Sequence, residues 1–284
     1  MTTSLLTTPL VSAAQLQAAL AAGATPVIID CSFDLADTSA GATAFAAGHL
    51  PGAVYAHLDR DLAGAKTGRN GRHPLPARAD WGHTLGRLGV TPARAVVLYD
   101  AQGGMYAARA WWMLRWVGHA DVSVLDGGLQ AWKAAGGALE TGAVAPVSAA
   151  APYPPGASLV ASIDADSLQA SLGRVTLLDA RAGERYRGEV EPLDARAGHI
   201  PGARLRFFKD NLDAQGRFRP AAELRAAFEA FGAAPGQVVH QCGSGVTACH
   251  NLLAMEVAGL PGSTLYPGSW SEWSSDPARP VAVG

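Results

Sequence analysis

The segment Gly48-His49-Leu50-Pro51-Gly52-Ala53 returns 150 residues later as Gly198-His199-Ile200-Pro201-Gly202-Ala203. A chain with such an internal copy is built from two versions of one supersecondary unit. Further matches keep their order at an offset of 141: Val97-Leu98-Tyr99-Asp100 with Val238-Val239-His240-Gln241, Gly118 with Gly259, and Gly127 and Trp132 with Gly268 and Trp273. Between the copies, residues 143–158 are rich in Ala and Pro and contain Pro152-Tyr153-Pro154-Pro155-Gly156, which propagates neither helix nor central strand. The sequence thus divides into a domain at 1–142, a linker at 143–158 and a domain at 159–284. At 284 residues, each half can bury a core of its own.

Each half alternates short β-branched runs with amphipathic stretches, the pattern of an α/β layer around a mostly parallel sheet. Strands are expected at 27–29, 96–98 and 122–124, then at 175–178, 238–239 and 264–266. Helices are expected at 13–22, 106–117, 165–172, 221–231 and 246–258. Trp111, Trp112 and Trp116 fall at helical spacing near Leu114 and Val117 and read as helix core. In such sheets ligands sit beyond the carboxyl ends of strands. Cys242 stands at one of those ends.

Cys242-Gly243-Ser244-Gly245-Val246-Thr247-Ala248 places a thiol in a loop of small residues between a strand and a helix. Helix-terminal amides stabilise anions, so this arrangement suits nucleophilic sulfur chemistry. The aligned position in the first half is Ala101, which has no nucleophile. The other two cysteines, Cys31 and Cys249, form neither a CxxC pair nor a metal-ligand spacing with it. An odd count argues against a disulfide scaffold and for a reducing compartment. A net charge of −2 gives no general attraction to nucleic acid or anionic membrane. No run of 18 apolar residues and no signal-like N-terminus occurs, so the expected location is cytoplasmic.

Taken together, the paired Gly-His-[Ile/Leu]-Pro-Gly segments, Asp126-Gly127-Gly128 with Trp132, Gly268-Ser269-Trp270 with Trp273, and the cysteine loop resemble a two-domain rhodanese-type sulfurtransferase. The loop itself is similar to that of the 3-mercaptopyruvate sulfurtransferases. The resemblance implies tandem rhodanese-like domains, each a mostly parallel sheet with helices on both faces, the second catalytic and the first lacking its nucleophile. It implies transfer of sulfane sulfur from 3-mercaptopyruvate, or alternatively thiosulfate, through a Cys242 persulfide to a thiol or cyanide, with thioredoxin a candidate acceptor. No metal and no cofactor are implied.

By the same resemblance Ser244 works with His73 and Asp59, contributed by the first domain across a cleft, while Gly243, Gly245, Val246 and Thr247 shape the loop around the donor. Arg185 takes the place of the principal substrate arginine. The family's second arginine follows a Glu-Pro-Glu-Pro segment, whereas this chain reads Glu189-Val190-Glu191-Pro192 with Leu193 at the expected position. Arg196, three residues further on, is the candidate replacement. The Glu-Val-Glu-Pro form resembles thiosulfate enzymes, but the neutral Gly243 and Ser244 suit a smaller, monoanionic donor and favour 3-mercaptopyruvate.

His49 and His199 recur in both copies although one copy has no nucleophile, which marks them as turn-fixing residues. The nearest rival enzyme is a phosphatase with a Cys-x5-Arg cradle, but Ala248 stands at the sixth position after Cys242. A non-catalytic rhodanese-like binding module is the rival from another class. An intact cysteine loop speaks against it.

Overall fold

The computed structural model describes residues 8–142 and 151–284; residues 143–150 of the expected linker lie outside the described residues. The described residues gather into two compact units, 8–63, 76–142, 151–159 and 214–217 in the first and 64–75, 160–213 and 218–284 in the second. The units are therefore not plain halves of the sequence. Residues 64–75 come from the first half but pack within the second unit.

The first unit runs β1 (Leu10–Val11), α1 (Ala13–Ala21), β2 (Val27–Asp30), α2 (Ala40–Ala47), β3 (Val54–Tyr55), α3 (Leu58–Asp61), α4 (Arg78–Arg87), β4 (Val96–Tyr99), α5 (Ala107–Trp116), β5 (Val122–Leu125) and α6 (Gly128–Ala134). The second runs β6 (Ala161–Ser162), α7 (Ala165–Ser171), β7 (Thr176–Asp179), α8 (Gly183–Tyr186), β8 (Arg204–Leu205), α9 (Ala221–Glu229), β9 (Val238–Gln241), α10 (Thr247–Val257), β10 (Thr264–Leu265) and α11 (Ser269–Trp273). No described helix is long and apolar enough to cross a membrane.

Both units form a five-stranded parallel sheet of one topology, β1-β5-β4-β2-β3 and β6-β10-β9-β7-β8. The central strands β2, β4, β5 and β9 are buried at every residue, as expected when helices cover both faces of a sheet. Local chemistry sets the helix starts. Ser12 and Gln15 close a capping box on α1, and Asp164 accepts the Ser167 amide at the start of α7.

The cores correspond as well. Ile28, Leu50, Val97 and Trp132 pack together in the first unit, and Leu177, Ile200, Val239 and Trp273 in the second. The repeated histidines do one job twice. His49 stacks on Phe45 at 3.9 Å and His199 on Tyr186 at 4.0 Å, and each Nδ1 bonds the backbone carbonyl of the residue it stacks on.

This strand order makes a crevice. The chain leaves β7 toward one sheet edge and β9 toward the other, so their neighbouring carboxyl ends form the topological switch point. Asp179 ends β7 there, Arg181 and Arg185 follow it, and Cys242 follows β9.

Candidate active site

Cys242 is 1% exposed, and its backbone is clamped by the turn after β10. Its N–H donates to Ser269 Oγ at 3.1 Å, and its carbonyl accepts from Trp270 N at 2.9 Å. The Gly243 carbonyl accepts from Ser271 N at 2.9 Å. Ser269 has φ 54°, the one positive φ outside glycine among the described residues. A serine held there stores strain, and strain of that kind collects at working sites. Gly245 is required for two reasons: its φ is +74°, and a Cβ on it would lie 2.2 Å from the Pro267 carbonyl oxygen. Cys249, from the first turn of α10, donates its thiol to the Gly245 carbonyl at 3.3 Å and so braces the loop. Val246 caps α10 and Thr247 begins it, which aims the helix N-terminus at the loop.

The register of the two sheets corrects the alignment at the nucleophile. Cys31 N donates to Tyr99 O and Ala180 N to Gln241 O, so Tyr99 is the counterpart of Gln241. Leu129 N donates to Asp100 O as Trp270 N donates to Cys242 O. Asp100, not Ala101, therefore stands where Cys242 stands. From this position to Gly118 the first copy is one residue longer than the second is from Cys242 to Gly259, its loop having two residues more and its helix one fewer, which shifts an alignment anchored on that glycine.

What Asp100 does is informative. It is fully buried, Oδ1 accepting the amides of Gln102 and Gly104 at 2.8 Å and Oδ2 those of Tyr106 and Ala107 at 2.9 and 3.0 Å. The loop folds around an anion at this position.

Around Cys242 the structure brings together Ser244, His73 and Arg185. His73 Nδ1 lies 2.7 Å from Ser244 Oγ, and both residues are buried. His73 arrives on residues 64–75 as part of the same compact unit as Cys242. Asp59 belongs to the first unit, half-buried in α3, where its amide donates to His57 Nδ1. Arg185 Nη2 bonds Glu191 Oε1 at 2.6 Å and Asp194 Oδ2 at 3.1 Å. Arg181 continues the network to Glu191 and Asp179 and lies over the Trp270 ring at 4.8 Å. Trp270 and Trp273 are core residues, both fully buried.

Arg196 is elsewhere. Its guanidinium donates to the backbone carbonyls of Trp273, Ser274, Asp276 and Arg279, closing the C-terminal end of α11. A second cation reaches the loop beside Arg185: Arg72, which the sequence reading passed over. A Cβ on Gly243 would sit 2.9 Å from Arg72 Nη2 and 3.3 Å from Arg185 Nη1. The available signal was its adjacency to His73, but nothing in the sequence says that residue 72 folds with the second half.

The chain is similar to known proteins over most of its length. The rhodanese-like domain profile matches residues 12–135 and 164–276. A Pseudomonas aeruginosa protein, provisionally named a 3-mercaptopyruvate sulfurtransferase, is 50% identical over 264 residues, 91% of this chain and 92% of its own. A Mycobacterium tuberculosis protein, provisionally named the thiosulfate sulfurtransferase SseB, is 43% identical over 97% of both chains. Among solved structures, the Escherichia coli 3-mercaptopyruvate sulfurtransferase SseA superposes with a TM-score of 0.79 at 32% identity, covering 94% of this chain and all of its own.

Proposed function

This chain belongs to the rhodanese family and is a sulfurtransferase, and from that premise we propose that Cys242 carries sulfane sulfur from 3-mercaptopyruvate to a thiol or cyanide. The Cys242 thiolate attacks the donor sulfur and the carbon–sulfur bond breaks. Its electron pair passes to carbon, which takes up the proton released by the donor thiol and leaves as pyruvate. The sulfur stays as a Cys242 persulfide anion, and a nucleophilic acceptor then removes it.

The Ser244 hydroxyl, bonded to His73, is the group placed to relay that proton. Gly243, Gly245, Val246 and Thr247 hold the loop open to the sulfur and Arg185 takes the donor's carboxylate. Arg196 has no part in this reading. Asp59 enters on family resemblance alone. We take the domains at 1–142 and 159–284, joined by 143–158, which the two profile matches support. The acceptor includes dithiols such as thioredoxin. The free thiols of Cys31, Cys242 and Cys249 favour a cytoplasmic setting.

The observation that supports the reading is that Cys242 stands where the first unit has Asp100, a carboxylate that gathers four backbone amides. The test is mass spectrometry after incubation with 3-mercaptopyruvate. Wild-type protein is expected to gain one sulfur atom at Cys242 and to release thiocyanate with cyanide; Cys242→Ser is expected to do neither. A wild-type protein that never acquires the sulfur would instead be a binding module. Thiosulfate is the alternative donor, favoured by the M. tuberculosis relative, and kcat/KM values measured side by side rank the two.

A further inference from the structure

We propose that Ser269 is a positioning residue for the nucleophile: its hydroxyl, inserted between the ends of β9 and β10, sets the peptide from which the Cys242 thiol hangs. This rests on the sulfurtransferase reading and deepens it.

The two copies of the fold supply the comparison. Leu129 N donates to Asp100 O as Trp270 N donates to Cys242 O, so Gly128 and Ser269 are counterparts, each the residue before that donor. Their backbones agree, with φ 53° at Gly128 and 54° at Ser269. Glycine adopts that region freely, whereas a serine there is strained. The first copy uses the residue the conformation favours; the copy with the nucleophile does not. In the first copy a side chain has no room, since a Cβ on Gly128 would lie 2.1 Å from the Asp100 carbonyl oxygen. The Ser269 Cβ needs that space, so in the second copy the turn stands farther from the strand end.

What the side chain bonds accounts for the difference. Tyr266 N donates to His240 O at 2.9 Å, and along a parallel ladder the Tyr266 carbonyl would accept next from Cys242 N. The Ser269 hydroxyl occupies that rung instead. It accepts from Cys242 N at 3.1 Å and donates to Tyr266 O at 2.9 Å, and the serine is fully buried. The carboxyl ends of β9 and β10 are thereby parted by the width of one hydroxyl, with neither backbone group left unpaired. Because the Cys242 carbonyl is held by Trp270 N at 2.9 Å, the nucleophile is anchored through both of its peptide groups. Two fixed peptides leave Sγ a single rotation, about χ1. The line of attack on the donor sulfur is then decided by the position that Ser269 imposes.

The experiment is single-turnover persulfide formation at saturating 3-mercaptopyruvate, with steady-state donor kinetics using cyanide as acceptor, on Ser269→Gly and Ser269→Ala, rates being counted per folded molecule. In Ser269→Gly the backbone is unstrained and the rung can close directly, drawing Cys242 toward β10. The urea midpoint should change little while persulfide formation slows about tenfold or more, the donor KM staying within about threefold of wild type. Ser269→Ala keeps the Cβ but strands the Cys242 N–H and the Tyr266 carbonyl; the same loss of rate is expected, with a lower urea midpoint. Ser269→Gly decides the matter even if Ser269→Ala does not fold. A wild-type rate of persulfide formation in either folded variant overturns the assignment, as does a change confined to KM. A lowered urea midpoint at an unchanged rate would make Ser269 a residue of the fold only. If wild-type protein forms no persulfide, it is the sulfurtransferase reading that fails; a wild-type persulfide with an unmoved rate in Ser269→Gly removes only Ser269.

Discussion

Arg185 and Arg196 show how differently two arginines eleven residues apart are used. Arg185 is held by carboxylates and faces the cysteine loop, whereas Arg196 gives its donors to four carbonyls, those of Trp273 and Ser274 at the end of α11 and of Asp276 and Arg279 in the segment after it. The two uses predict opposite phenotypes. Arg196→Ala should lower unfolding free energy by about 1–3 kcal/mol, the usual effect of leaving buried carbonyls unsatisfied, and should leave the donor KM unchanged. Urea titration and donor kinetics on one preparation check both halves; a raised KM with undiminished stability would return Arg196 to the substrate site. At this scale Cys242 and the glycines of its loop were legible, because backbone freedom and nucleophile chemistry are local properties, whereas the pairing of His73 with Ser244 came from the family resemblance alone. The targets of Arg196 and Arg72 were not legible, since a guanidinium's partners are settled by the loops that fold against it.

The element that distinguishes the copies is the loop after the fourth strand of each sheet. In one, four backbone amides converge on a carboxylate that the chain supplies itself; in the other, the same position holds the Cys242 thiol. The first copy's loop uses its carboxylate to satisfy its amides. Asp100→Asn keeps the shape but replaces one acceptor oxygen by an amide that cannot accept, facing two N–H groups. The expected cost is about 2–4 kcal/mol, from two buried donors left unpaired. Denaturant unfolding followed by amide hydrogen exchange at 100–107 checks this. Unaltered protection there would mean that the carboxylate is not what orders the loop. The central strands and the long helices were legible from their apolar runs. The two-residue strands β1, β3, β6 and β8 were not, because pairings so short carry no periodicity. The one-residue shift at Asp100 was hidden for a related reason: sequence matches anchor on glycines, and only strand register reveals where a loop has grown.

Across the whole molecule, duplication preserved topology and core while freeing each copy's polar interior to change, and buried histidines couple that interior to pH. His240 lies in β9, fully buried, with Nε2 3.1 Å from Met255 Sδ and its ring edge-on to Phe228. Burial, and then the nearby Arg206 charge, push its pKa down to about 3. In the first unit burial moves His119 the same way. The sign follows from proton binding: the unfolded chain takes up a proton on each histidine near pH 6.5, and the native fold refuses it. Stability from this source is complete above about pH 6.5 and is lost as pH falls, by at most ~1.4 kcal/mol per unit per histidine, until the folded-state value is reached. Urea midpoints should therefore drop between pH 7 and pH 5. Burial raises the carboxyl pKa of Asp30 and of Glu272, which act in the opposite sense as pH falls, so the His240 share is read from the difference in slope between wild type and variant. His240→Leu keeps an apolar side chain in the strand and should flatten the slope by up to one proton's worth. A variant that loses stability between pH 7 and pH 5 as steeply as the wild type would show that β9 does not carry the acid sensitivity, whatever its effect on the midpoint at pH 7.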